Sequence, residues 1–187
     1  MNDVRTDERV VSWRSEDGHT TEVLRLGYEN GGWTADGLVT LPDGRVDVHY
    51  VVRTDDTWNV RQVLLFRDLD EPDLWLAHDG AGTWGEVNGV QRADLEGCTD
   101  IDLGCTPFTN TLPIRRLGLA VGESAEITAA WVDVETLLVV ASPQRYTRLD
   151  ERRWRFEALS SGFVADLDVD EHGLVLDYPD LFRRVLA

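Results

Sequence analysis

FVADLDVDEHGLVLDY, residues 163–178, decides the fold. Phe163, Ala165, Leu167 and Val169 alternate with Val164, Asp166, Asp168 and Asp170. A period of two belongs to a strand, whose successive side chains point to opposite faces. Glu171, His172 and Gly173 interrupt the pattern and LVLDY resumes it, so the stretch reads as two strands joined by a turn. The same alternation runs outward along the chain. GRVDVHYVV (44–52) alternates around Val46, Val48 and Tyr50, and PDG at 42–44 parts it from LVTL. Asn88-Gly89 lies between TWGEV and VQRADL, and such a pair marks a hairpin because both residues tolerate positive φ. This reading predicts strands near 10–15, 20–27, 33–41, 45–54, 58–67, 73–77, 83–87, 90–95, 98–103, 123–132, 136–148, 152–158, 162–169 and 173–178. No Gly/Ser-rich linker or break in composition divides the chain, so residues 1–187 are expected to form a single domain. A long series of antiparallel strands must curl, close into a barrel or split into a sandwich to hide its edges. The expected fold is mostly β, an antiparallel curled sheet, half-barrel or barrel-like, around an apolar cavity of the kind that takes a ligand.

One segment breaks the β pattern. In TPFTNTLPIRRLGL (106–119), the Thr111 hydroxyl can cap a helix that starts at Leu112. Pro113 falls in the first turn, where its missing N–H costs little, and Gly118 can supply the left-handed residue after the last turn. The spacing predicts a short helix near 111–117 with Arg115 and Arg116 in its last turn, where positive charge suits the helix dipole. The two arginines have two uses. They can pair with Asp100 and Asp102 of the preceding strand. They can instead line a polar mouth with Asn110 and Thr111, since guanidinium forks bind carboxylates, phosphates and sugar hydroxyls.

Composition narrows the function. The formal net charge is −17, from 35 acidic and 18 basic residues, and every basic residue is Arg. Without lysine there is no Schiff base, Ser-Lys dyad or P-loop lysine. The acidic balance excludes nucleic acid, whose binding needs clustered basic charge, and docking on an anionic membrane surface. No run approaches the roughly 20 apolar residues of an integral membrane segment. MNDVRTDERV has no apolar core of an export signal, so the expected location is cytoplasmic. Cys98 and Cys105 are then expected as free thiols. His19, His49, His78 and His172 are scattered, and no zinc spacing appears. Asp166, Asp168 and Asp170 open like a calcium loop, but the sixth position is Glu171 where Gly is needed. No metal or cofactor is expected.

GCTDIDLGCTPFTNTLPIRRLGL (97–119), QRYTRL (144–149) and FVADLDVDEHGLVLDYPDLF (163–182) together resemble the glycolipid-binding domain family of bacteria. GYENGGWTADGLVT (27–40) and DGAGTWGEVNG (79–89) add looser matches. The resemblance implies a half-barrel similar to bacterial lipoprotein carriers of the LolA type, and a glycolipid as ligand.

The functional expectation is non-catalytic binding of an amphiphilic small molecule, a glycolipid by the resemblance. Asn110, Thr111, Arg115, Arg116, Gln144 and Arg145 are the candidates to hold its polar head. Asp100, Asp102 and Tyr146 lie beside them in the sequence pattern. Trp33 and Trp84 follow glycine-rich turns and are the tryptophans expected at a rim. Two alternatives stay open: a small hydrolase or isomerase using Asp100, Asp102 and Arg115, or a structural or partner-binding domain whose arginines close an ion-pair network.

Overall fold

A computed structural model describes residues 8–67 and 70–185; part of the segment read for an export signal, residues 1–7, lies outside them. The first half of the chain forms β1 (Arg9–Ser15), β2 (Thr21–Glu29), β3 (Gly32–Thr40), β4 (Val46–Thr54), β5 (Val60–Phe66), β6 (Leu74–His78) and β7 (Trp84–Glu86). The second forms β8 (Asp100–Leu103), β9 (Ser124–Val132), β10 (Val139–Arg148), β11 (Arg153–Ala158), β12 (Phe163–Val169), β13 (Val175–Tyr178) and β14 (Phe182–Val185). All belong to one curled sheet in the order β7-β6-β5-β4-β3-β2-β1-β14-β13-β12-β11-β10-β9-β8. The first and last strands are therefore neighbours at its centre. The sheet is not a closed barrel: β7 and β8 are its two edges.

The alternation seen in the sequence positions most of these strands. Two assignments differ. Residues 90–95, read as a strand, make only a bridge between Gly85 and Gln91 before a 3-10 turn at Ala93–Leu95. β14 escaped the reading because FRRV carries no alternation; β1 and β13, on either side, supply its pairing.

β8 and β9 run parallel, in a sheet otherwise antiparallel. A parallel pair cannot be joined by a tight turn and needs a crossover, usually helical. Residues 104–123 make it, through a 3-10 turn at Phe108–Asn110 and then α1 (Thr111–Leu117). Gly118 ends α1 at φ 59°, ψ 31°, the left-handed conformation expected of it. The start of α1 differs from expectation. Asn110 already has helical φ and ψ, so Thr111 lies inside the helix and caps nothing. Its hydroxyl instead donates to the Gly173 carbonyl at 2.9 Å, tying α1 to the turn before β13.

α1 contributes to two apolar clusters. Leu112 packs with Trp13, Leu24, Tyr50, Leu65 and Phe108. Ile114 packs with Tyr146, Trp154, Phe156, Leu167 and Val175. The open seam between the sheet edges is stitched by the segment after β7: Gly97 N donates to the Gly82 carbonyl at 3.0 Å. The indole N–H of Trp84 donates to the Cys98 carbonyl at 2.9 Å. Among the described residues, no helix is long and apolar enough to cross a membrane.

Candidate functional site

Alternation along β10 puts Gln144 and Tyr146 on one face and Arg145 on the other. Gln144 and Tyr146 face inward, toward the crossover. Gln144 Nε2 donates to Asp102 Oδ2 at 2.7 Å, and the Tyr146 hydroxyl donates to Asn110 Oδ1 at 2.9 Å. Thr109 Oγ1 adds a longer contact to Asp102 Oδ1, at 3.3 Å. These contacts form one end of a pocket of about 580 Å³ between the crossover and strands β9 to β14. Thr106, Asn110 and Gln144 there are buried, and Asp102 is half-buried. Leu103, Phe156, Tyr178 and Phe182 supply apolar wall, with Trp131 beside them. The pocket's most exposed apolar residues, Val140 (39%), Phe163 (39%) and Leu181 (38%), stand with Ser160 and Ser161 at its mouth.

Three polar groups in this pocket have unused capacity. Burial raises the Asp102 carboxyl above the usual carboxylate range, against the opposing hydrogen bonds of Gln144 and Thr109. A carboxylate has about four acceptor positions, and protein donors fill two of them here. The Tyr178 hydroxyl and the Trp131 indole N–H have no hydrogen-bond partner among the described residues. Neither atom is a buried unsatisfied group, so both open onto the pocket's solvent. Burial, with the Asp102 charge adding to it, drives the Tyr178 phenol far up and keeps it a donor.

A fully buried carboxyl lies behind the same wall. Glu22 Oε1 accepts from the Tyr50 hydroxyl at 2.5 Å and from Thr106 Oγ1 at 2.9 Å, and Thr106 also lines the pocket. Glu22 Oε2 is buried without a partner, and burial pushes the carboxyl up to about 7.

The structure thus brings Asp102, Asn110 and Gln144 to one pocket, with Tyr146 bracing Asn110 from behind. It sets the other candidates elsewhere. Asp100, 1% exposed, is held by Arg116 Nε at 3.1 Å and Nη2 at 2.5 Å. Arg115 lies over the Trp58 ring, 5.5 Å from its centroid, and lines a separate hollow of about 380 Å³. Arg145 turns to the outer face, against Glu126 at 2.6 Å and Glu157 at 3.4 Å. Thr111 is buried against Gly173. Trp84 is wholly buried and stacks on His78. Trp33 stacks on Trp58 beside another hollow, of about 480 Å³. Tyr178 and Trp131 were not among the residues expected from the sequence. Only the pairing of β9 with its neighbours distinguishes that tryptophan from the buried ones. Burial raises the Cys98 thiol to about 11 and the Cys105 thiol well above its usual value, which suits packing more than nucleophilic chemistry. No group of potential metal ligands occurs among the described residues.

Comparison with known proteins fits this architecture. A crystal structure of a DUF1089 family protein from Pseudomonas aeruginosa superposes with a TM-score of 0.70 at 34% sequence identity. The match covers 99% of this chain and 97% of that one. No functionally curated protein matches the chain. A family described as "Putative glycolipid-binding" matches residues 10–184, nearly the whole chain. By that span, and on the residues already quoted from its second half, the chain belongs to the family so described.

Proposed function

We propose that this protein binds an amphiphilic small molecule of the glycolipid class, without chemical turnover, in the pocket beside the crossover. One observation carries the reading: the pocket of about 580 Å³ combines apolar and aromatic walls with a few convergent polar groups, Asp102, Asn110 and Gln144. Small-molecule sites have that composition and typically span about 300–1,000 Å³. The family description points to the same ligand class, and the curled sheet suits the expected likeness to lipoprotein carriers. In this reading the protein works in the cytoplasm, on a glycolipid or a precursor of one.

The alternative of a hydrolase or isomerase needed Asp100, Asp102 and Arg115 as one polar cluster. That cluster is divided: Asp100 pairs with Arg116, Asp102 bonds Gln144, and Arg115 stacks on Trp58. Native mass spectrometry of gently purified protein tests the binding reading. A co-purifying amphiphile, lost on delipidation and regained from a panel of alkyl glycosides and glycolipids, is the expected result. Delipidated protein that takes up no amphiphile from the panel would end the proposal.

A further inference from the structure

The distribution of polarity within the pocket is the reverse of what a carrier of buried acyl chains requires. Its deep end is polar: Gln144 is 1% and Asn110 5% exposed, and Asp102 lies against Gln144. Its mouth is apolar, at Val140, Phe163 and Leu181. A hydrocarbon tail pushed to the deep end would strip water from Asp102 and return no hydrogen bond, a costly burial. A hydroxylated head placed there can donate to the open acceptor positions of Asp102 and accept from Tyr178 and Trp131, the two donors left without partners. Carboxylate, amide and aromatic surface together suit a sugar ring, whose hydroxyls take hydrogen bonds and whose C–H faces lie on rings. An anionic head does not fit: Asp102 is the sole carboxylate among the lining residues, and no arginine lines the pocket to neutralise a phosphate.

We infer that the ligand enters head first. An uncharged sugar head sits at the deep end against Asp102, Gln144 and Tyr178, and the hydrocarbon tail leaves across Val140, Phe163 and Leu181. Asp102 is then the specificity residue, accepting from sugar hydroxyls and repelling anionic heads. This rests on the binding reading above, and it fixes an orientation and a head charge that the reading leaves open.

The test uses n-octyl β-D-glucoside and octyl phosphate below their micellar concentrations, with binding followed by calorimetry. The wild-type protein is expected to take the glucoside and to bind the phosphate at least tenfold more weakly. Asp102→Leu keeps a similar side-chain size and removes the acceptor, so glucoside binding falls roughly tenfold or more, the scale of a lost charge-assisted hydrogen bond. Asp102→Asn narrows the preference over octyl phosphate. Phe163→Ser weakens octyl glucoside while leaving methyl glucoside unchanged, because only the longer chain reaches the mouth. Octyl glucoside with a diazirine at the end of its chain is expected to label residues 140–142, 159–163 and 181, whereas a sugar-borne diazirine labels 102–110 and 144. Glucoside that binds wild type but binds Asp102→Leu more tightly, with the chain-end probe labelling 102–110, overturns the orientation and leaves the binding reading intact. Absence of all amphiphile binding removes both.

Discussion

Glu22 carries the sharpest consequence at the scale of one residue. Its carboxyl is buried against Tyr50 and Thr106, one oxygen has no partner, and its pKa stands at about 7 against 4.5 for an ordinary glutamate. The folded chain therefore holds this proton more tightly than the unfolded chain does. That contribution to stability is fully present below about pH 4.5 and is lost as pH rises through about 7. The loss is on the order of 3 kcal/mol. Urea denaturation of wild type from pH 5 to pH 8 should show this component, and Glu22→Gln should flatten it. An unchanged slope in the variant would place the titration elsewhere. The paired arginines have separate partners, Arg115 on the Trp58 ring and Arg116 on Asp100. Arg116 neutralises Asp100, which is 1% exposed, so Arg116→Ala strands a buried carboxylate. Such a loss costs about 3–5 kcal/mol, visible as a lower urea midpoint, while glycoside affinity in the protein that remains folded is unchanged. Arg145 shows what the sequence already contained: Gln144 and Arg145 are adjacent on a strand, and period-two alternation forbids both from facing one pocket. Trp131 and Tyr178 were not legible that way: the parallel pairing of β8 with β9 sets Trp131 opposite Asp102, and the curl of the sheet brings Tyr178 of β13 to the same pocket.

At the scale of elements, alternation exposed nearly every strand, and Pro113 with Gly118 marked the helix. Strand direction left no such trace. Nothing in DIDL, residues 100–103, says that it runs parallel to β9, yet that pairing is what sends residues 104–123 across the sheet as a crossover. α1 is held there by the turn ahead of β13. Gly173 has φ +79°, and a Cβ at this position would lie 3.0 Å from Arg115 Cδ and 3.2 Å from Ile114 Cγ2. Gly173→Ala therefore meets both backbone strain and crowding from α1. We expect it to destabilise the fold by about 1–3 kcal/mol. It should also weaken glycoside binding, since α1 continues directly from Asn110. Equilibrium denaturation and calorimetry on the one variant check both; wild-type behaviour in each would mean that α1 shifts without cost.

For the whole molecule, net charge and pocket mouth act together. A chain of net charge −17 is repelled by anionic membranes, while the apolar mouth needs contact with whatever surface holds its ligand. Uptake of a labelled neutral glycolipid should therefore be slower from vesicles rich in anionic lipid than from zwitterionic ones. Salt should close the gap, as the screening length shrinks from about 10 Å at 0.1 M to about 3 Å at 1 M. Stopped-flow transfer measurements decide it, and equal rates at low salt would count against surface contact. The strand order carries one more consequence. Each half of the chain is a simple succession of neighbours, and the step from β7 to β8 alone leaps from one edge of the sheet to the other. Join the end of β14 to the start of β1 with a short linker, cut at the exposed Asn88-Gly89 turn, and the strands follow one another from edge to edge in chain order, with the β8–β9 crossover kept. The native chain is in effect a circular permutant of that simpler path, and the rearranged protein is expected to rebuild the same sheet with its pocket intact.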